Sequence, residues 1–205
     1  RVIGLDINEK YVEEANLSIS EYLNSENATI YRADFFNTDW KSLISNLSDD
    51  LLIIGNPPWV TSSELSILNS QNLPLKSNFQ NRRGIEAITG SGNFDISEWM
   101  FLQYVEWLSK REGTIAVLCK YSVARKVIRQ VKKRSENRFS ACLYSIDAKA
   151  YFDASVEACL CIISTNINSN VDYEVYEDLK AKKASYLIGE RDGLIIRDTV
   201  KYEKW

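Results

Sequence analysis

The 205-residue sequence contains no histidine. That absence removes Ser-His-Asp and Cys-His catalysis, histidine-ligated zinc and any imidazole base. Glycine and proline are sparse, at 8 and 3 residues, and hydrophobic and charged residues stand at 45% and 26%. That balance excludes collagen-like and disordered classes. No apolar run approaches the roughly 18 residues that cross a bilayer, and no signal-peptide pattern opens the chain, so the sequence reads as soluble, with no membrane partner. Positive charge is not in excess either: 25 basic against 28 acidic residues leave a net charge of −3. No global basic field points to nucleic acid, although a local basic face would suffice. The four cysteines, Cys119, Cys142, Cys159 and Cys161, form no C-x-x-C pair and lie in apolar, β-rich stretches. They read as small buried hydrophobes in a reducing, cytoplasmic setting rather than as metal ligands or disulfides. Carboxylates, amides, backbone and a cofactor must therefore do the chemistry.

The length allows one or two domains at about 150 residues each. Val2 to Ile7 reads as a strand ending in an acid, followed by a helix capped by Asn8 with Tyr11, Ala15, Ile19 and Leu23 on one face. Thr29 to Asp34 is a second strand ending in Asp, a weaker helix covers 39–47, and Leu51 to Gly55 is a continuous apolar strand of the kind buried on both faces of a parallel sheet. A polar stretch over 60–93 precedes an amphipathic helix from Phe94 to Lys110, capped by Asn93 or Asp95. Thr114 to Cys119 is another buried strand, and a basic helix follows over 121–134. Strands recur at 139–146 and 156–165 with no helix between them, which predicts an antiparallel pair at one edge of a doubly wound α/β sheet. The division expected is a core over 1–170 and a charged, β-rich extension over 171–205, or the start of a substrate-recognition region there.

Three polar residues end three successive strands: Asp6, Asp34 and Asn56. In open α/β sheets that edge binds ligands. Asp6, with Ile7 after it, can accept both hydroxyls of a ribose, or simply favour the helix that follows. Asp34, followed by Phe35 and Phe36, can accept from an adenine amino group while an aromatic packs on the base, or serve as a turn residue. Asn56-Pro57-Pro58-Trp59 ends the third strand, because proline cannot continue a ladder and fixes its own φ. The Asn56 side-chain oxygen and the Pro57 carbonyl can accept both hydrogens of a planar NH2 group, and Trp59 can stack on that plane. The nitrogen lone pair would then point at an electrophilic methyl group, with no strong base required. The bland alternative is a Pro-Pro turn beside a core Trp.

This pattern resembles class I S-adenosylmethionine-dependent methyltransferases, specifically those with an (Asn/Asp)-Pro-Pro-aromatic motif, of which DNA N6-adenine methyltransferases are the best known. The resemblance implies a Rossmann-like, mostly parallel sheet with an antiparallel edge strand. It makes Asp6 and Ile7 the ribose contact, Asp34 and Phe35 the adenine contact, and Asn56 to Trp59 the catalytic motif. Gly92-Asn93-Phe94-Asp95 resembles the segment after the catalytic loop. Phe152, in Tyr151-Phe152-Asp153-Ala154-Ser155-Val156, matches an aromatic that packs on the flipped base, or is an ordinary core residue. The likeness covers about residues 1 to 165. The family's first strand and Gly-rich cofactor loop would lie upstream of Val2 and are not in this sequence, so an incomplete cofactor cradle is expected.

The activity implied is adenine-N6 methylation of DNA, of the restriction-modification type, with S-adenosylmethionine as cofactor. DNA is then the partner, together with a restriction-modification partner or the rest of the same polypeptide. The same geometry serves an RNA base or a protein glutamine amide, and a non-catalytic DNA-binding or interaction module is the alternative of another class. Arg125, Lys126, Arg129, Lys132, Lys133, Arg134 and Arg138 form a local basic run that can face phosphates or be a solvated helix face. Lys76, Arg82 and Arg83 follow the motif and can touch substrate or sit on a surface loop.

Overall fold

The computed structural model describes residues 1–22, 25–47, 50–60, 95–109, 111–134, 139–165 and 172–204. Expectations for Leu23, Lys76, Arg82, Arg83, Gly92, Asn93, Phe94 and Arg138 fall outside these residues. The chain divides into two compact units, whose described parts are 1–47 and 50–60 with 95–204.

In the first unit β1 (Val2–Asp6) pairs in parallel with β2 (Ala28–Arg32) through α1 (Glu9–Ser20). Asn8 caps α1 by accepting from the Lys10 N–H. Asn16 ties the helix to the strand, donating to the Ile30 carbonyl at 3.0 Å and accepting from the Ile30 N–H at 3.2 Å. The predicted helix face shifts by one position. Val12 is buried and Ala15 and Ile19 half-buried, whereas Tyr11 is 59% exposed. Positions 12, 15 and 19 form one stripe, and residue 11 lies about 100° away from residue 12 around the helix. A short helix, α2 (Trp40–Ser45), is capped by Asp39.

The second unit is a seven-stranded sheet. Its strands are β3 (Leu51–Gly55), β4 (Gly113–Lys120), β5 (Phe139–Ile146), β6 (Ala158–Thr165), β7 (Tyr173–Tyr176), β8 (Tyr186–Arg191) and β9 (Leu194–Ile196). They stand in the order β3-β4-β6-β5-β7-β8-β9. Only β6 and β8 run against the other five, so the sheet is mostly parallel in direction. The expected antiparallel pairing of 139–146 with 156–165 is present, although a short helix, α5 (Ala148–Phe152), joins the two strands where none was expected. Strand β6 also pairs with β4, which places it inside the sheet. The antiparallel edge is made by β8 and β9.

Helices α3 (Ile96–Trp107) and α4 (Tyr121–Arg134) pack on one face of this sheet. Ile115, Val117, Cys119, Cys159, Cys161, Ile163, Leu143 and Val175 point to them and are buried, as are Phe101, Leu108, Val127 and Ile128. Three of the four thiols thus act as core residues, and all four are unpaired by disulfide. Two expectations are corrected. The β3 strand is not buried on both faces: Leu52 and Ile54 are 63% and 77% exposed, because α3 and α4 cover only the opposite face. The helix predicted as amphipathic over 94–110 is instead buried nearly all round, down to Ser97 and Glu98. Glu98 is accommodated in the interior because Lys126 and Gln130 of α4 donate to it at 3.2 and 3.3 Å.

The sheet continues beyond residue 171, where a bidentate pair fixes the added strands. Both nitrogens of the Arg191 fork donate to Asp172 at 2.9 Å, and Arg191 also donates to Glu203 after α6 (Thr199–Tyr202). The Arg191 hydrogen bonds hold the Asp172 carboxyl below its ordinary 3.8, overcoming partial burial. A carboxyl with a depressed folded pKa stabilises above its ordinary value, and the gain is lost as pH falls through the lower folded value. Asp172→Asn is expected to cost about 2 kcal/mol at pH 7. The difference from wild type should shrink below about pH 4, as thermal melting across pH will register; a deficit constant down to about pH 2 would contradict it.

Candidate active site

The first unit brings Asp6, Ile7, Asp34 and Phe35 to the C-terminal ends of its two strands, where the Ala33 N–H donates to the Asp6 carbonyl at 3.0 Å. One Asp6 carboxylate oxygen accepts from the Asn8 N–H at 2.7 Å. Among the described residues no hydrogen bond or ion pair reaches its other oxygen. Ile7 is 52% exposed beside it. Asp34 is more heavily used locally, since its two oxygens accept from the Phe36 N–H at 2.9 Å and the Asn37 amide at 2.6 Å. It organises a turn, as the simpler reading of this residue expects. The Phe35 ring packs on Trp40 at 4.8 Å, and the Trp40 indole donates to the Phe35 carbonyl at 2.7 Å.

The second unit places Asn56 directly after β3, whose last residue Gly55 is in register with Val117 of β4. Asn56 is exposed, Pro57 buried and Pro58 exposed, so the rigid pair anchors on one ring and presents the amide outward. Trp59 is half-buried and its indole N–H donates to the Leu118 carbonyl at 3.3 Å. Its ring meets Phe152 edge to face, with centroids 5.4 Å apart and planes at 72°. The two aromatics touch each other and leave no slot between parallel faces, so a flat group would lie against one of them. Phe152 ends α5 (Ala148–Phe152) and is 43% exposed, which is not the environment of an ordinary core aromatic. Asp153, which follows it, turns the chain with φ 51°.

Two phenols flank this edge. Tyr104 of α3 packs under Gly55, where a Cβ would stand 3.5 Å from its oxygen, and burial pushes it well above the usual phenol range. Tyr121, next to the end of β4, is pushed up to about 12 by burial. Both stay protonated at neutral pH. The neighbouring Cys119, together with burial, likewise keeps the Cys159 thiol protonated.

Sequence reasoning missed one pair. Lys120, the last residue of β4, donates to Asp95 at 2.9 Å, and Asp95 is only 8% exposed. The sequence marks Asp95 only as a helix cap, which it also is: it accepts from the Ser97 N–H at 3.0 Å. A lysine closing an otherwise apolar strand was the available signal. Several members of the basic run, by contrast, are engaged inside the unit. Lys126 pairs with Glu98, Lys132 lies over the Tyr173 ring and Arg125 over the Tyr121 ring.

No family model matches the chain. A curated relative, the Type II methyltransferase M.NspV of Nostoc sp., is 38% identical over 205 residues, which is all of this chain and 42% of the relative. The chain therefore spans about two-fifths of the length of the curated relative it matches. Solved structures give looser likenesses. The 23S rRNA methyltransferase ErmE matches at TM-score 0.46 and 12% identity, over 82% of this chain and 54% of that one. The Type IIL restriction-modification enzyme MmeI, solved with DNA, matches at TM-score 0.46 and 14% identity, over 90% and 27%. Along its whole length, this chain is thus similar in sequence to a Type II methyltransferase.

Proposed function

We propose that the chain carries the catalytic part of an S-adenosylmethionine-dependent methyltransferase acting on adenine N6 of DNA. One observation carries this reading beyond the likeness to a methyltransferase: Asn56 stands exposed at the ligand edge of β3, held by a buried Pro57 and followed by the Trp59–Phe152 aromatic pair. An exocyclic NH2 group presents two hydrogens, and the Asn56 carboxamide oxygen and the Pro57 carbonyl are two acceptors one residue apart. Pro57 and Pro58 lack N–H groups that would compete for those acceptors. Accepting both hydrogens frees the nitrogen lone pair for attack, while Trp59 or Phe152 supports the ring from one face. The proton leaves afterwards, from a nitrogen made acidic by its new positive charge, so no histidine is needed.

S-adenosylmethionine, when bound, supplies a methyl group made electrophilic by its sulfonium sulfur. Asp6 suits its ribose, because one carboxylate oxygen is already positioned by Asn8 and the other is open among the described residues. Asp34 and Phe35, at the end of the neighbouring strand, are the proposed contacts for its adenine, with Asp34 accepting from the amino group. Asp6→Ala is expected to weaken cofactor binding by about tenfold or more, the worth of a hydrogen bond to a charged group. Calorimetry on the intact natural polypeptide would measure it, and unchanged affinity removes the ribose role.

The substrate is tested with the intact polypeptide, methyl-labelled cofactor, and DNA, RNA or protein in parallel. Label released from DNA as N6-methyladenine supports the proposal. Label found only in RNA, only in a protein glutamine amide, or in nothing overturns it.

A further inference from the structure

We infer that Lys120 is a positioning residue for the methyl transfer, acting through Asp95 on the chain that carries Asn56 to Trp59. This rests on the amino-methyltransferase reading above. The tetrapeptide is held at both ends by the last residues of one strand, β4. At its start, Gly55 is in register with Val117. At its end, the Trp59 indole donates to the Leu118 carbonyl at 3.3 Å. The next residue, Val60, accepts from the Ile96 N–H at 2.9 Å. Asp95, adjacent to Ile96, accepts from Lys120 at 2.9 Å.

Asp95 therefore has one carboxylate oxygen on the helix it caps and the other on the end of β4. It is buried and Lys120 is largely so, with side-chain exposures of 9% and 22%. A charge pair so placed is costly to break from one side and holds its geometry tightly. Val60 sits one residue beyond Trp59, and four beyond Asn56. Release of Asp95 from β4 loosens this end of the motif while the register at Gly55 stays. A misplacement of about 1 Å in a reacting group costs about 10²-fold in rate.

The test uses Lys120→Met, Lys120→Arg and the doubly neutral Lys120→Met/Asp95→Asn, all in the intact natural polypeptide. Lys120→Met should lower kcat by roughly tenfold to a hundredfold while KM for cofactor and DNA stays within about twofold. Lys120→Arg, which keeps the charge and donors, should recover most of the rate. The double variant, which leaves no unpaired buried charge and so guards against loss of folding, should remain slow. Hydrogen exchange supplies a readout independent of activity: in both variants lacking the pair, the Ile96 amide should lose protection while Ile115 inside β4 keeps it. Unchanged kcat, a loss confined to KM, or a fast double variant overturns the inference. Should wild-type protein transfer no methyl group, the proposed function fails, and unaltered Ile96 protection would then overturn the positioning role separately.

Discussion

Asn56→Ala is expected to reduce methyl transfer by about 10²- to 10³-fold, the range seen when one preorganised polar group is removed from a reacting centre. The loss should fall on kcat, because the proposed acceptor matters most as the amino nitrogen gains charge, whereas the flat ring is still supported by Trp59 or Phe152. Folding should be almost untouched: the side chain is exposed and follows β3, so no buried partner is orphaned. Asn56→Asp makes the comparison sharper. A carboxylate oxygen still accepts a hydrogen beside the Pro57 carbonyl and should retain far more activity than alanine. Single-turnover assays on the intact natural polypeptide with labelled cofactor separate chemistry from binding. Alanine activity within a few-fold of wild type removes Asn56 from the reaction.

Much of this arrangement was legible in the sequence because it rests on local rules. Apolar runs closed by Asp6 and Asn56, and the Pro-Pro stop, mark strand ends whatever surrounds them. The same holds for Asn8 and Asp95, which cap helices through their own side chains. What was not legible depends on partners far along the chain. Nothing local in the run from Leu51 to Gly55 tells that helices will cover one face only and leave Ile54 open. The burial of Glu98 depends on Lys126 and Gln130, and the role of Lys120 depends on Asp95, 25 residues earlier. The insertion of β6 between β4 and β5 is likewise long-range, since the strand pairs with one neighbour sharing a local connection and another that precedes it by two helices and a strand. Asp34 shows the converse limit: its turn bonds are local and visible, and they compete with the ligand role that the motif order suggested.

Gly113→Ala is expected to be the most damaging single methyl group in the second unit. Gly113 opens β4 opposite Leu51 with φ 157°, and a Cβ there would stand 2.2 Å from the Leu51 carbonyl oxygen and 2.9 Å from Leu108 Cδ2. Backbone atoms of a paired strand cannot swing aside, so β4 must shift or its first pairing must open. The Gly113 N–H bond to the Thr165 hydroxyl, at 2.8 Å, would be pulled with it. Strain and overpacking together should cost about 3 kcal/mol or more, which for a unit of this size lowers Tm by about 10 °C. Gly193 provides the control. It has φ 78°, and a Cβ there would meet nothing within 4 Å, so Gly193→Ala carries the conformational strain without the clash. Its cost should stay near about 1 kcal/mol. Melting of both variants in the intact polypeptide decides the matter: equal losses would show that β3 and β4 separate easily at this end. A much larger loss at Gly113, with methyl transfer reduced in the surviving folded fraction, would show that the register set at Gly113 is transmitted along β3 to Asn56, the residue that follows it.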